Sequence, residues 1–177
     1  MQFMVKIGSN SGGLELIVGG QLISDSLRGL SAGFVNVVEN TAKGLQLGLQ
    51  NFAGKSYGLQ VGVFNGAAEI HGAQVGVANV QWGDYDTGSF KVYGAQVGIF
   101  NINDEDYGAQ IGVTNVVGRM NGIQIGVYCE AKSGRFVQLG LLTKRADRPG
   151  PWYRQVTPIL GMHFSDAPYS PPNAYSV

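Results

Sequence analysis

One eight-residue phrase, Gly-x-Gln-x-Gly-x-x-Asn, returns with small departures between Gly44 and Thr143, and it limits what this chain can fold into more than any other feature. The copies read GLQLGLQN from Gly44, GLQVGVFN from Gly58, GAQVGVAN from Gly72, GAQVGIFN from Gly94, GAQIGVTN from Gly108, GIQIGVYC from Gly122 and FVQLGLLT from Phe136, and GLSAGFVN from Gly29 is a weaker copy. From Gly44 onward their starts are 14 residues apart except between Gly72 and Gly94, where the gap is 22 and eight residues have been inserted. A chain that repeats at a fixed step is expected to repeat in space.

Read column by column, the phrase divides into parts. Its second, fourth and sixth positions are apolar, as in Leu45, Leu47 and Leu49, or Val97 and Ile99. That period of two predicts a strand whose apolar face lies on a core. The opposite face carries Gln46, Gln60, Gln74, Gln96, Gln110, Gln124 and Gln138, and beside them Gly48, Gly62, Gly76, Gly98, Gly112 and Gly126. Glycine weakens a strand, so one in every copy implies that something comes close to it. This Gln/Gly face is therefore the candidate binding face, for self-assembly or for a partner. Asn36, Asn51, Asn65, Asn79, Asn101 and Asn115 close the phrase. Asn suits a corner, and identical amides stacked about 4.8 Å apart can form a ladder.

The pattern is all-β and admits two architectures. One is a 14-residue-repeat parallel β-solenoid, in which every copy points the same way. The other is an antiparallel β-meander or small up-and-down β-barrel. Alternating strands, the hairpin-like VANVQWGDYDTGSFKVYG and an aromatic girdle of Tyr57, Tyr93 and Tyr107 would suit it, and Leu45, Val61 and Val97 would then meet lipid. The segment INDEDY offers only Ile102 clearly to a core, whereas a protruding insertion favours the solenoid.

Along the chain, residues 1–28 read as an N-terminal cap with a degenerate repeat, 29–143 as the repeat body, 144–164 as a C-terminal cap and 165–177 as a Pro-rich tail. The 177 residues make one domain. Twelve basic residues balance twelve acidic ones, which argues against nucleic acid as a partner. Charge is uneven: residues 84–106 hold five acids against Lys91, and residues 119–154 hold seven bases against Glu130 and Asp147. A lone cysteine, Cys129, excludes an intrachain disulfide. No secretory signal is evident, and no run approaches the ~20 apolar residues of a membrane helix.

The GxQxGxxN units followed by GPWYRQVTPILGMHF resemble a family of uncharacterised bacterial surface-repeat proteins whose copies read GLQxGLxN, over roughly Gly29 to Phe164. The resemblance implies a cell-surface or secreted location and carries no established catalytic residues.

Reactive chemistry is scarce. His71 and His163 have no partner at metal-ligand spacing, and no Gly-x-Ser-x-Gly appears. Asp84 and Asp86 in GDYDTG, with Asp104 and Asp106 one unit on, form a weak calcium candidate, set against the plainer reading as two polar turns. No other cofactor is implied. The expectation is a non-enzymatic structural or binding repeat protein that self-associates or binds a protein partner, with a small outer-membrane β-barrel protein as the alternative.

Overall fold

The computed structural model describes residues 4–16, 19–81, 91–145 and 156–165; they are strand almost throughout, with no helix among them. The strands are β1 (Met4–Leu16), β2 (Gly19–Ala32), β3 (Val35–Leu47), β4 (Gln50–Gln81), β5 (Lys91–Arg145) and β6 (Val156–Ser165). They form one sheet in chain order. The first five pair in parallel, and β6 lies antiparallel on β5.

The register sets each copy of the phrase against the next at the same level. Gly29 pairs with Gly44, Gly44 with Gly58, and Gly72 with Gly94; Gln46 faces Gln60, and Asn79 faces Asn101. Within β4 the chain turns back on itself, because Gln74 reaches Gln60, 14 residues earlier, at 2.6 Å. The same holds inside β5, where Gln124 reaches Gln110 at 2.6 Å. The architecture is thus all-β with a mostly parallel, unclosed sheet. The antiparallel meander and the up-and-down barrel are corrected by this pairing. Identical phrases satisfy each other when they run the same way, since only then does every side chain meet its own copy.

Irregular spacings are absorbed locally. Across the eight-residue insertion, pairing of Glu69–Val80 with Lys91–Ile102 keeps the phrase aligned. Residues 82–90 fall outside the described residues, and the hairpin read in GDYDTG with them. The 15-residue step from Gly29 to Gly44 produces a bulge between Val38 and Thr41. Gly54 makes room for it: a Cβ there would lie 2.4 Å from the Glu39 carbonyl oxygen and 2.6 Å from that of Asn40.

The apolar core is not where the alternation placed it. The side chains buried together belong to the segments between the phrases: Leu27, Val38, Ala42, Ala53, Ala67, Ile70 and Val92 in one cluster, and Val117, Met120, Ala131 and Phe136 in another. The second, fourth and sixth columns of the phrase face outward instead; Val97 is 39% exposed, Ile111 43% and Leu141 67%. Ile102, expected in the core, is 47% exposed. Its neighbours Asn103 and Asp106 are the buried residues of INDEDY.

The ends differ. At the first, β1 continues the register, pairing Gly13 with Gly29 and Leu14 with Leu30 of β2. At the other, β6 crosses the last copy, pairing Gly161 with Gln138 and Thr157 with Thr143. Gly161 fits because a Cβ would come within 2.8 Å of Thr143 Oγ1 and 2.9 Å of Gln138 Oε1. The Pro-rich tail lies outside the described residues apart from Ser165.

Candidate functional site: an amide-laddered interior beneath an apolar face

The Gln column, read as an outward binding face, points inward. All seven glutamines of the column, Gln46 to Gln138, are at most 1% exposed. Each from Gln60 onward donates its Nε2–H to Oε1 of the glutamine one unit earlier, at 2.6 to 2.7 Å except for 3.3 Å from Gln110 to Gln96. The file ends in two unpaired atoms, Gln46 Nε2 and Gln138 Oε1, where no further glutamine follows. Burying an amide is unfavourable when it lacks partners, and here each copy supplies the next. The alternation rule separates two faces; it does not say which one is inside when the polar face can pair with itself.

The Asn column forms a second ladder running the other way. Asn36, Asn51, Asn65, Asn79 and Asn101 each donate to Oδ1 of the next asparagine at 2.7 to 2.9 Å. Their second N–H goes to the backbone carbonyl at the fourth position of the following phrase, as from Asn51 to Val61 at 2.9 Å. A carbonyl only accepts, so this bond fixes which way each amide faces. Ser31 opens the ladder by donating to Asn36 Oδ1 at 3.0 Å. Cys129 closes it as a poor acceptor, 3.6 Å from Asn115 Nδ2, and burial pushes its thiol pKa up. Cys129→Asn should extend the ladder and raise stability by about 1 kcal/mol, read as an increased urea midpoint at unchanged slope.

What approaches the Gly column is now identified. At Gly48, Gly62, Gly76, Gly98, Gly112 and Gly126 a Cβ would lie 2.2 to 2.7 Å from the carbonyl oxygen of the glycine one unit earlier. An Asn amide of the second ladder stands almost as close, 2.6 to 2.8 Å from the same point. These glycines admit the amide files and are not a docking surface.

A polar seam interrupts the apolar wall. The two hydrophobic clusters stop at Val92 and resume at Val117, and between them lie Asn103 and Asp106. Asn103 donates to Gln96 Oε1 at 2.5 Å and to Asp106 Oδ2 at 3.0 Å. Sharing Gln96 Oε1 accounts for the long ladder bond from Gln110. Asp106 is fully buried with Oδ1 unpartnered, and burial pushes its pKa up to about 7, the Asn103 hydrogen bond opposing. A folded-state pKa above the unfolded 3.8 means the folded chain holds this proton longer. The contribution of Asp106 to stability is therefore full below about pH 4, falls by a few kcal/mol as pH climbs toward about 7, and levels off above it. In Asp106→Asn this slope should disappear from denaturation midpoints measured across that range.

Of the calcium candidate, Asp104 is exposed and Asp106 buried, and Asp84 and Asp86 lie outside the described residues. Among the described residues, no three of His, Cys, Asp and Glu gather as a metal site.

Two surface features complete the picture. The residue preceding each phrase forms an outer file in which Tyr57, His71, Tyr93 and Tyr107 stack with centroids 4.5, 4.8 and 5.1 Å apart. Lys43 stands over Tyr57 at 5.6 Å. The rings cover each other's faces and leave edges outward, so the girdle tyrosines serve as a ladder. Glu69 braces it, 2.7 Å from His71 Nε2 and 2.9 Å from Lys55 Nζ; its pKa is held below the usual range by the Lys55 hydrogen bond first and by that to His71 second. His71 was legible as a member of this file, since it occupies the tyrosine column. Of the basic stretch, Lys144 pairs with Glu130 at 3.1 Å, and Arg145 donates to the Met162 carbonyl at 3.0 Å.

The larger feature is the apolar face itself. From Val75 to Leu141 the fourth and sixth columns are Val, Ile or Leu without a charge, and all are exposed. Monomeric soluble proteins rarely leave contiguous apolar surface of this kind uncovered. Compared with protein families, with curated proteins and with solved structures, the chain matches none.

Proposed function

We propose that the chain is a non-enzymatic structural repeat protein, a parallel β-solenoid of 14-residue coils whose regular outer face serves self-assembly or partner binding. The observation that carries this reading is the division of labour within the phrase. Its polar columns are engaged inside on their own copies, and its apolar columns are left outside. Amides are neither nucleophiles nor titratable groups, so their pairing fits a structural duty for these two columns. The function thus passes from the Gln/Gly columns to the Val/Ile/Leu columns. The mostly parallel, unclosed sheet speaks against the outer-membrane barrel. A cell-surface or secreted location remains the reading that the repeat resemblance supplies.

Two measurements test it. In a solenoid, Val97 and Ile111 stand on adjacent coils about 4.8 Å apart, within disulfide range. Val97→Cys with Ile111→Cys should therefore form an intramolecular disulfide, detected by mass under mild oxidation. Strands running in opposite directions would keep that pair reduced. The chain should also stay in solution without detergent and associate, with itself or on added protein; a folded chain that remains monomeric and captures nothing refutes the assembly role.

A further inference from the structure

We infer that Tyr93 and Tyr107 form an oxidative crosslinking site, at which a haem peroxidase with hydrogen peroxide joins neighbouring coils through a dityrosine bond. The inference rests on the solenoid reading, because it needs the two phenols one above the other on adjacent coils.

The outer file brings phenols side by side at one point. Tyr93 and Tyr107 stack with centroids 5.1 Å apart and planes 15° from parallel. Tyr57 is as exposed as Tyr93, 37% against 38%, but its ring lies between Lys43 and His71. Among the described residues of the file, Tyr93 and Tyr107 are thus the one pair of adjacent phenols. The carbons ortho to each hydroxyl lie toward the outer end of the ring. Rotation about the two side-chain torsions lets those ends lean together.

The bond forms with loss of hydrogen. Each phenol gives one electron to the peroxidase and loses its hydroxyl proton. Tyr107 already donates that hydrogen to Glu105 Oε2 at 3.3 Å, so a carboxylate stands where the proton leaves. The unpaired electron left behind is shared between the oxygen and the ortho carbons. One such carbon from each ring then joins the other: a C–C bond forms, the hydrogen on each joined carbon departs as a proton, and each oxygen takes a proton back. The chain loses two hydrogen atoms in all, and one hydrogen peroxide becomes two waters.

Position gives the bond a structural purpose. The apolar clusters break off at Val92 and resume at Val117, and the two tyrosines follow directly on Val92 and on Asp106 of the polar seam. The coil between them, residues 94–107, buries Gln96, Asn101, Asn103 and Asp106 and no apolar side chain. A stitch between positions 14 residues apart restrains the unfolded chain around this coil, as a disulfide would. No intrachain disulfide serves instead, since Cys129 is the only cysteine.

The test treats the full folded chain, at low protein concentration, with a haem peroxidase and hydrogen peroxide, and reads dityrosine fluorescence and peptide mass. The expected product is a monomer lighter by two hydrogens, with the peptides holding Tyr93 and Tyr107 joined, formed at a rate independent of protein concentration. It should unfold at a higher urea midpoint than the untreated chain. Tyr93→Phe keeps the ring, removes the partner phenol and should lower the fluorescence of the monomer roughly tenfold or more. His71→Tyr fills the gap in the file and should add coupling to position 57 or 93. Coupling chiefly at other tyrosines, or only between chains, overturns the inference, as does full fluorescence in Tyr93→Phe. A folded His71→Tyr chain with no added coupling overturns stacking as the cause. Where Val97→Cys with Ile111→Cys forms its disulfide and the tyrosines do not couple, this inference falls and the solenoid reading stands; where neither bond forms, the solenoid reading falls as well.

Discussion

Replacing Gly72 by alanine should leave the chain unable to reach its native state, or cost it more than about 4 kcal/mol where it does. The added methyl would sit 2.1 Å from the carbonyl oxygen of Gly58 and 2.9 Å from its carbonyl carbon, on backbone at φ +140°, a conformation that L side chains rarely adopt. Relief would require separating two adjacent strands, and the neighbours repeat the constraint, for Gly58 stands equally close to Gly44 and Gly94 closer still to Gly72. The strain cannot be passed along the stack. Gly20→Ala is the control, since its nearest neighbours stand 3.9 Å away and its stability should shift by less than about 0.5 kcal/mol. Thermal melts of the two variants side by side decide the matter: equal melting temperatures would mean that the close approach is not a constraint in solution.

The second large effect is expected from an isosteric change within the Asn ladder, Asn101→Asp. The native amide donates to Ile111 O at 3.1 Å and to Asn115 Oδ1 at 2.7 Å, and it accepts from Asn79 Nδ2 at 2.8 Å. A carboxylate keeps the accepted bond, loses both donated ones and turns an oxygen toward two other oxygens. Removing the donors while adding a buried charge should cost about 3–5 kcal/mol. Acid should return part of it, because a protonated carboxyl regains one donor; the difference in urea midpoint from the parent chain should narrow as pH falls. A difference independent of pH would show that the position is not sealed from water. Asn101→Ala would be a poorer probe, since it opens a cavity together with the ladder.

Much of the fold was legible. Identical phrases at a fixed step indicate a repeating sheet, and Gly in every strand indicates close approach. The possible Asn ladder was correctly drawn from the corner column. Which face would be interior was not legible from alternation, because hydrophobicity assumes that a buried amide goes unpaired. Gln60 alone would be unfavourable inside, but Gln60 between Gln46 and Gln74 is satisfied on both sides. Ile102 misled for the complementary reason, being the only large apolar residue in a segment whose inward places are taken by Asn103 and Asp106. A clue did lie in the spacing, since Ala42, Ser56, Ile70, Val92, Asp106 and Met120 fall two residues before successive phrases, mostly as apolar side chains. That column lines the core, with Ser56 and Asp106 as its polar members.

The opposed directions of the two amide files have an electrical consequence. Every Gln bond from Gln60 onward points its N–H toward the N-terminal end of the stack, and every Asn bond points toward the C-terminal end. The amide dipoles therefore run antiparallel and largely cancel, as in an antiferroelectric crystal. An α-helix accumulates about half a unit charge at each tip; these two files contribute no comparable polarity to the ends of the stack. Whatever ion or charged surface is drawn to either end responds chiefly to its side chains, such as Arg135 and Lys144, and can be redirected by changing them without touching the interior.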